Sequence, residues 1–238
     1  PVIEIIVTTR QINIMRELTL IIPAKNESES LPSVLSELEK FDCNKTIIVD
    51  PSDIGTIKSI ENFNCNIIDQ KVTGYGNALI EGINSVNTKY FCIFNADGSF
   101  NPKDLQEMLN RLETGEDFMF ASRYMKNSGS EDDTWVTSFG NFLFTFLGNF
   151  LYRLNISDIL FTYICGKTDL AKNLGLSNKS FGICIEIPIL VKFYNHKYSC
   201  IPSYERKRIA GKKKVNALRD GWIILMEYFN LIKFRKRK

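Results

Sequence analysis

One histidine, His196, is all that the 238 residues contain. Mechanisms that need several imidazoles, as metal ligands or as a paired acid and base, are thereby set aside. His196 stands between Asn195 and Lys197 near an expected turn and reads as a surface residue. The six cysteines form no C-x-x-C pair, which removes a zinc ribbon and a thioredoxin-like site. Cys92 and Cys184 lie within apolar runs and read as small core residues of a protein kept in a reducing compartment. No secretory signal is expected, since Pro1 opens a mixed segment without a basic start. A dinucleotide fingerprint is missing too: Gly74 and Gly76 are followed by Leu79 where a third glycine belongs, and no Walker lysine follows. Internal repeats and low-complexity linkers are absent.

What is present is an ordinary globular composition, 44% hydrophobic and 24% charged, in a chain long enough for one large domain. The net charge of +3 is unevenly spread. Residues 205–238 hold twelve lysines and arginines against three acids, so the rest of the chain is net acidic. The basic end, Lys233-Phe234-Arg235-Lys236-Arg237-Lys238, follows an apolar helix candidate. That order suits a peripheral contact with an anionic membrane surface, or a solvated charged tail. No nucleic-acid motif accompanies the charge, and no nucleic-acid partner is expected.

Apolar runs of strand length alternate with helical stretches. Strands are expected at 18–22, 46–49, 66–69, 90–95 and 118–121, with helices at 31–40, 77–86 and 102–112. Pro102 opens the last helix at a tolerated first-turn position. The alternation predicts an α/β fold, a mainly parallel sheet flanked by helices. Such sheets bind ligands beyond the carboxyl ends of their strands, which puts the chemistry just after Ile22, Val49, Phe94 and Ala121. Residues 1–17 are expected as an extension or edge strand and 18–215 as the main domain. Residues 216–238 are expected as an apolar helix with a basic tail, packed on the domain or at a membrane surface.

Two segments depart from the alternation. Residues 134–152 carry no charge over 19 positions, which approaches a membrane span. Yet Ser138, Asn141, Thr145 and Asn149 recur at helical spacing, and Phe142, Leu143, Phe146, Leu147 and Phe150 cover much of the rest. An amphipathic helix is predicted, its Phe-rich face against lipid or against the core. Residues 218–232 align Leu218, Trp222, Leu225, Phe229 and Ile232, widened by Ile223, Ile224 and Leu231. Such breadth means burial, a partner or a membrane interface.

The strand ends carry the chemistry-bearing residues. The apolar run 91–94 ends in Asn95-Ala96-Asp97-Gly98-Ser99. A carboxylate at Asp97 can hold Mg²⁺ or Mn²⁺ beside a diphosphate, with Asn95 and Ser99 as neutral oxygen ligands, or can simply cap a turn. Asp50 ends a second run, where it can accept from nucleobase or ribose donors, while Ser52 or Asp53 can equally cap a helix. Gly74-Tyr75-Gly76 is a turn that lets backbone approach a ligand. Arg123, after Ala121-Ser122, can fork onto a phosphate or sit in an ion pair, and Arg208 to Lys214 offers a further phosphate clamp.

Taken in order, these stretches resemble the family 2 glycosyltransferases of GT-A fold, nearest the dolichol- or polyprenyl-phosphate mannosyl- and glucosyltransferases. The resemblance spans residues 18–225 and rests on Leu20 to Glu27, Ile48 to Thr56, Gly74 to Ala78, Asn95-Ala96-Asp97 at the D-x-D metal motif, Ser122-Arg123-Tyr124, and Arg208 to Lys214. It implies nucleotide and donor contacts from Pro23, Ala24, Glu27, Asp50, Ser52, Gly76 and Asn95. It also implies metal and diphosphate binding at Asp97, and phosphate or acceptor contacts from Arg123, Arg208 and Lys214. Asp158 and Glu186 fall near acidic positions of the family's later half.

This chain departs from the pattern at Asn95, which replaces the first Asp of D-x-D, and at Ser99, Tyr75 and the acidic loop Ser130-Glu131-Asp132-Asp133-Thr134. The expected activity is inverting sugar transfer from a nucleoside diphosphate sugar, with Mg²⁺ or Mn²⁺, to a polyprenyl phosphate. A saccharide hydroxyl acceptor is the alternative and needs a carboxylate base, for which Asp158, Asp132 or Asp133 is the candidate. A catalytically silent nucleotide-binding protein is a third reading, carried by Asn95. The expected setting is cytoplasmic, peripheral to a membrane face, and a homo-oligomer is compatible with the sequence.

Overall fold

A strand buried on both faces must be apolar at nearly every position. Leu18–Ala24 (β1) meets that condition and lies inside a seven-stranded sheet. The computed structural model describes residues 13–211 and 217–234. Residues 1–12 of the expected N-terminal extension lie outside the described residues, and 13–16 form a helical turn.

After β1 come α1 (Leu31–Leu38), β2 (Asn44–Val49), α2 (Ile54–Ser59), β3 (Asn66–Asp69), α3 (Tyr75–Ser85), β4 (Tyr90–Ile93), α4 (Asp104–Glu113) and β5 (Phe118–Ser122). The later half adds β6 (Gly129–Ser130), α5 (Trp135–Tyr152), β7 (Ile164–Lys167), α6 (Thr168–Lys172), α7 (Ile183–Phe193), β8 (Tyr198–Pro202), β9 (Tyr204–Glu205) and α8 (Ala217–Asn230). A 3₁₀ turn, Leu231–Phe234, follows.

The sheet order is β3-β2-β1-β4-β7-β5-β8. Only β7 runs antiparallel to its neighbours β4 and β5, so the expected mainly parallel α/β sheet is present. Chain order reverses between β1 and β4, which makes that gap the switch point where ligands bind. Alternation sorts side chains onto two faces. Leu20, Ile22, Cys92 and Met119 pack with Leu35 of α1 and Met108 of α4. Ile21, Ile48, Phe91 and Phe120 pack on the other face with Leu79 of α3, Ile187 of α7 and Tyr228 of α8.

Element limits differ from expectation by a few residues. β4 stops at Ile93, leaving Asn95 beyond the ladder, and α4 begins at Asp104 rather than Pro102. His196 is half-buried, with its ring 5.6 Å from that of Phe118, because the 193–196 turn folds back on β5. Cys92 and Cys184 are buried as expected, and all six cysteines are free.

The helix predicted at 134–152 forms as α5, with its polar side inward. Asn141 and Thr145 are buried, whereas Phe139, Phe142, Phe146 and Phe150 are exposed. This orientation has a local cause: the polar stripe satisfies loop backbone. Asn149 donates to the Ile156 carbonyl (2.7 Å) and accepts from the Ile156 N–H (2.9 Å), and Thr145 Oγ1 accepts from the Ile159 N–H (3.2 Å). Buried peptide groups without partners would each cost about 1–3 kcal/mol. The residues aligned over 218–232 divide similarly: Trp222, Phe229 and Ile232 face outward, while Ile224, Tyr228 and Leu231 are buried.

Gly82 gives a direct test of how closely α3 lies on the sheet. A Cβ there would meet Ile21 Cγ2 at 2.3 Å and Ile48 Cγ1 at 3.3 Å. Gly to Ala in a free helix is favourable by about 1 kcal/mol, while overpacking a core costs about 1–3 kcal/mol. Gly82→Ala is therefore expected to lower the urea midpoint with an unchanged m-value. A raised midpoint would mean that α3 does not press on β1.

Candidate active site

The C-terminal ends of β1, β2, β4 and β5 lie on one edge of the sheet, and the residues expected to act converge there. At β1 the chain turns sharply after Pro23 and the buried Ala24, with Asn26 at φ 51°. The Asn26 N–H donates to Asp53 Oδ2 (2.6 Å), and the Glu27 N–H donates to Thr56 Oγ1 (2.9 Å). Asp53 also caps α2 by accepting from the Thr56 N–H (3.2 Å). The cap thus fixes the β1 loop against the β2 loop. Glu27 accepts from Ser30 Oγ at 2.6 Å. Asp50 accepts from the Ser52 hydroxyl (2.6 Å) and N–H (2.9 Å), and these bonds hold its carboxyl below the ordinary range.

At the end of β4, Asp97 Oδ1 accepts from the Ser99 N–H (3.0 Å) in a tight turn, with Gly98 at φ 83°. Asn95 Nδ2 points to Ser99 Oγ (3.3 Å). Ser99 is buried with its hydroxyl engaged, which departs from its expected role as a metal ligand. The segment after β9 closes over this turn: the Arg206 N–H bonds the Ser99 carbonyl and the Ile209 N–H bonds the Asp97 carbonyl, each at 2.8 Å. A bidentate pair from Arg206 to Glu37 of α1 holds that segment down. Arg208 Nη1 then lies 3.5 Å from Asp97 Oδ2, and its Nη2 donates to Asp132 (2.9 Å). Partial burial lowers the Arg208 pKa, but Asp132 and Asp97, with Glu27 nearby, outweigh it and raise the value.

Among the described residues no group of three or more histidine, cysteine or acidic side chains could hold a metal ion. The single carboxylate of Asp97, with the amide of Asn95 nearby, still fits a hard cation that takes its other ligands from phosphate and water. Asp97 is the residue that would hold such an ion.

Arg123 departs from the expected phosphate contact. Its Nε and Nη2 donate to both Asp158 oxygens (2.7 and 3.0 Å), and its Nη1 donates to Glu205 (3.1 Å) with Asp133 at 3.6 Å. Burial alone would lower its pKa, yet Asp158, Glu205 and Asp133 together raise it. Asp158 is fully buried in this pair, so it cannot meet an acceptor hydroxyl as a base in this arrangement. Arg123 and Asp158 are brought together, but as a closed ion pair. Glu205 completes the cluster without a sequence signal, since it sits in a basic stretch.

The glycine turn also finds a different partner. A Cβ on Gly76 would lie 2.1 Å from the Asn178 carbonyl, and one on Gly74 would lie 2.3 Å from that of Lys179. The backbone that approaches Gly76 is the chain's own loop. Glu186 anchors this loop by accepting from the Ser177 N–H and hydroxyl and the Asn178 N–H. Tyr75 is half-buried, stacks on Phe181 at 5.0 Å and bonds Thr162 (2.8 Å). Lys214 lies outside the described residues.

Comparisons with known proteins bear on the family and the fold. An uncharacterised glycosyltransferase of Mycobacterium tuberculosis is 23% identical over 218 residues, 90% of this chain and 97% of the relative. A dolichyl-phosphate hexose transferase of Haloferax volcanii is 21% identical over 207 residues, 86% and 89% of the two chains. The crystal structure of glucosyl-3-phosphoglycerate synthase from Mycobacterium tuberculosis, in complex with Mn²⁺, UDP and glucosyl-3-phosphoglycerate, superimposes with a TM-score of 0.71. That match covers 92% of this chain and 80% of the synthase at 13% identity, and marks the fold as GT-A-like. The family model described as glycosyl transferase family 2 matches residues 19–175, and the chain belongs to that family of enzymes.

Proposed function

We propose that this enzyme transfers a sugar, with inversion, from a nucleoside diphosphate sugar to a polyprenyl phosphate. The observation that carries the reading is the convergence of Asp97, Arg208 and Glu27 at the switch point between β1 and β4. In this reading Pro23, Ala24, Glu27, Asp50 and Ser52 border the nucleotide, while Asn95 and Asp97 face its diphosphate. An acceptor phosphate oxygen attacks the anomeric carbon from the face opposite the diphosphate. A new C–O bond forms as the old one breaks, and the nucleoside diphosphate departs with the electron pair.

Arg208 supplies fixed positive charge where the leaving diphosphate gains negative charge. A divalent ion at Asp97, when bound, adds to that stabilisation. Arg123 acts at one remove, as a positioning residue that holds the rim of the site. A phosphate acceptor is already anionic near neutral pH and needs no general base. That agrees with the engagement of Asp158 by Arg123 and of Asp132 by Arg208. The name of the dolichyl-phosphate hexose transferase relative supports a lipid-phosphate acceptor. Such an acceptor sets the working place at a membrane surface, and the free cysteines suit its cytoplasmic face.

Thermal stability with UDP, GDP, CDP and dTDP, each with and without Mn²⁺, tests the donor half. A ligand at 100 times its Kd is expected to add about 2.7 kcal/mol. One base should stand out and depend on Mn²⁺; no shift with any of the four would sink the donor site. Asp97→Asn is expected to remove sugar transfer to polyprenyl phosphate while leaving the urea midpoint near that of the parent. Retained transfer would overturn the role of Asp97. Asp158→Asn is expected to do the reverse first, lowering stability by about 3–5 kcal/mol because it breaks a buried pair. An unchanged midpoint would make Asp158 a functional group rather than a structural one.

A further inference from the structure

The described residues carry one large apolar surface that the site does not use. On α5, Trp135 is 95% exposed and Phe139, Phe142, Phe146 and Phe150 are 55–68% exposed, all along one side of the helix. At about 1.5 Å per residue this stripe is roughly 25 Å long. On α8, Trp222 and Phe229 are 64% and 63% exposed, with Met226 between them. The two helices pack on each other: Tyr228 donates to the Phe144 carbonyl (2.6 Å), and its ring stacks on those of Phe144 and Tyr152. Apolar patches of this extent on soluble proteins mark binding surfaces.

Charge selects the occupant. α5 contains no charged residue, and exposed Arg153 follows its C-terminus. On α8 the two acids, Asp220 and Glu227, are buried, while Arg219 shares the exposed stripe with Trp222, Met226 and Phe229, and Lys233 continues it. In sequence, Lys212-Lys213-Lys214 precedes α8 and Arg235-Lys236-Arg237-Lys238 follows it. A second copy docked on this face would bring basic flanks against basic flanks at either polarity. An anionic lipid surface matches both features, because apolar rings enter the acyl boundary while Lys and Arg meet headgroup phosphates. Both tryptophans of the chain lie on this surface, and tryptophan is enriched at that boundary. No described helix is long and apolar enough to cross a membrane.

We propose that the exposed faces of α5 and α8 are a docking surface for an anionic bilayer, with the helices lying in its interface. The surface starts at the rim of the site. Trp135 follows Asp133 and Thr134, and Asp133 is 3.6 Å from Arg123. Docking therefore brings the mouth of the site to headgroup depth, where a lipid phosphate resides. The idea deepens the lipid-phosphate reading, but its test requires no catalysis.

Tryptophan emission reports this surface alone, since Trp135 and Trp222 are the only tryptophans. The full chain is mixed with phosphatidylcholine vesicles, with and without phosphatidylglycerol, and followed by flotation and by quenching with brominated lipid. The expected result is flotation on the anionic vesicles, weakened by salt, with a blue shift and quenching. Single-tryptophan variants Trp135→Phe and Trp222→Phe should each retain quenching. The double substitution Phe142→Glu with Phe146→Glu should weaken partitioning at least about tenfold while leaving the nucleotide-induced thermal shift intact. No flotation or quenching at low salt by a chain that still binds nucleotide overturns the proposal, as does a dimer whose formation shields both tryptophans from lipid. A chain that floats but glycosylates no polyprenyl phosphate leaves this surface standing and defeats the acceptor reading.

Discussion

A guanidinium taken out of water is tolerated only when its charge and its N–H groups are matched on all sides. Arg123 meets that requirement with carboxylates from three separate segments: Asp133 before α5, Asp158 before β7, and Glu205 in β9. Much of the C-terminal half follows from this one demand. Asp133 also accepts from Tyr124, Thr137 and Ser138, so the residue that balances Arg123 also ties down the first turn of α5. The polar stripe of α5 then binds the backbone at Ile156 and Ile159, which frames Asp158 and returns it to Arg123. Helix and ion cluster support each other, and the polar side of α5 is spent inward as a result.

The same economy of charge governs the rim of the site. The loop Glu131-Asp132-Asp133 would by itself repel any anionic substrate. In the folded chain Asp132 pairs with Arg208 and Asp133 faces Arg123, while Glu131 accepts from the Lys207 N–H. Two of the loop's three carboxylates thus face the chain's own guanidinium groups. Arg208 keeps a second side directed to Asp97, which leaves a basic group beside the β4 turn. That turn is held in place by backbone bonds to Arg206 and Ile209 rather than by its own side chains alone.

Close backbone approach around Gly74 and Gly76 has a comparable structural use. The loop from Ser177 to Phe181 presses into that turn, and buried Glu186 collects three donors from its start. Tyr75 extends the contact by stacking on Phe181. The glycines thus let one part of the protein reach another.

Local pattern alone was enough for five of the seven strands of the sheet, but not for β7 and β8. Strand-length apolar runs separated by helical stretches predict β1 to β5 within a few residues, and the rule that ligands gather at carboxyl ends selects Pro23, Asp50, Asp97 and Arg123 for one edge. These signals are short-range, because period and capping are written in neighbouring residues. The partners of those residues were decided by tertiary structure. Whether Arg123 meets a phosphate or an ion pair depends on Glu205, 82 positions away, and whether Gly76 meets a ligand or a loop depends on Asn178. The outward turn of the Phe face on α5 was undecided for the same reason. An amphipathic pattern fixes two faces but not which one points inward, and here the buried peptide groups of 156–159 claimed the polar one.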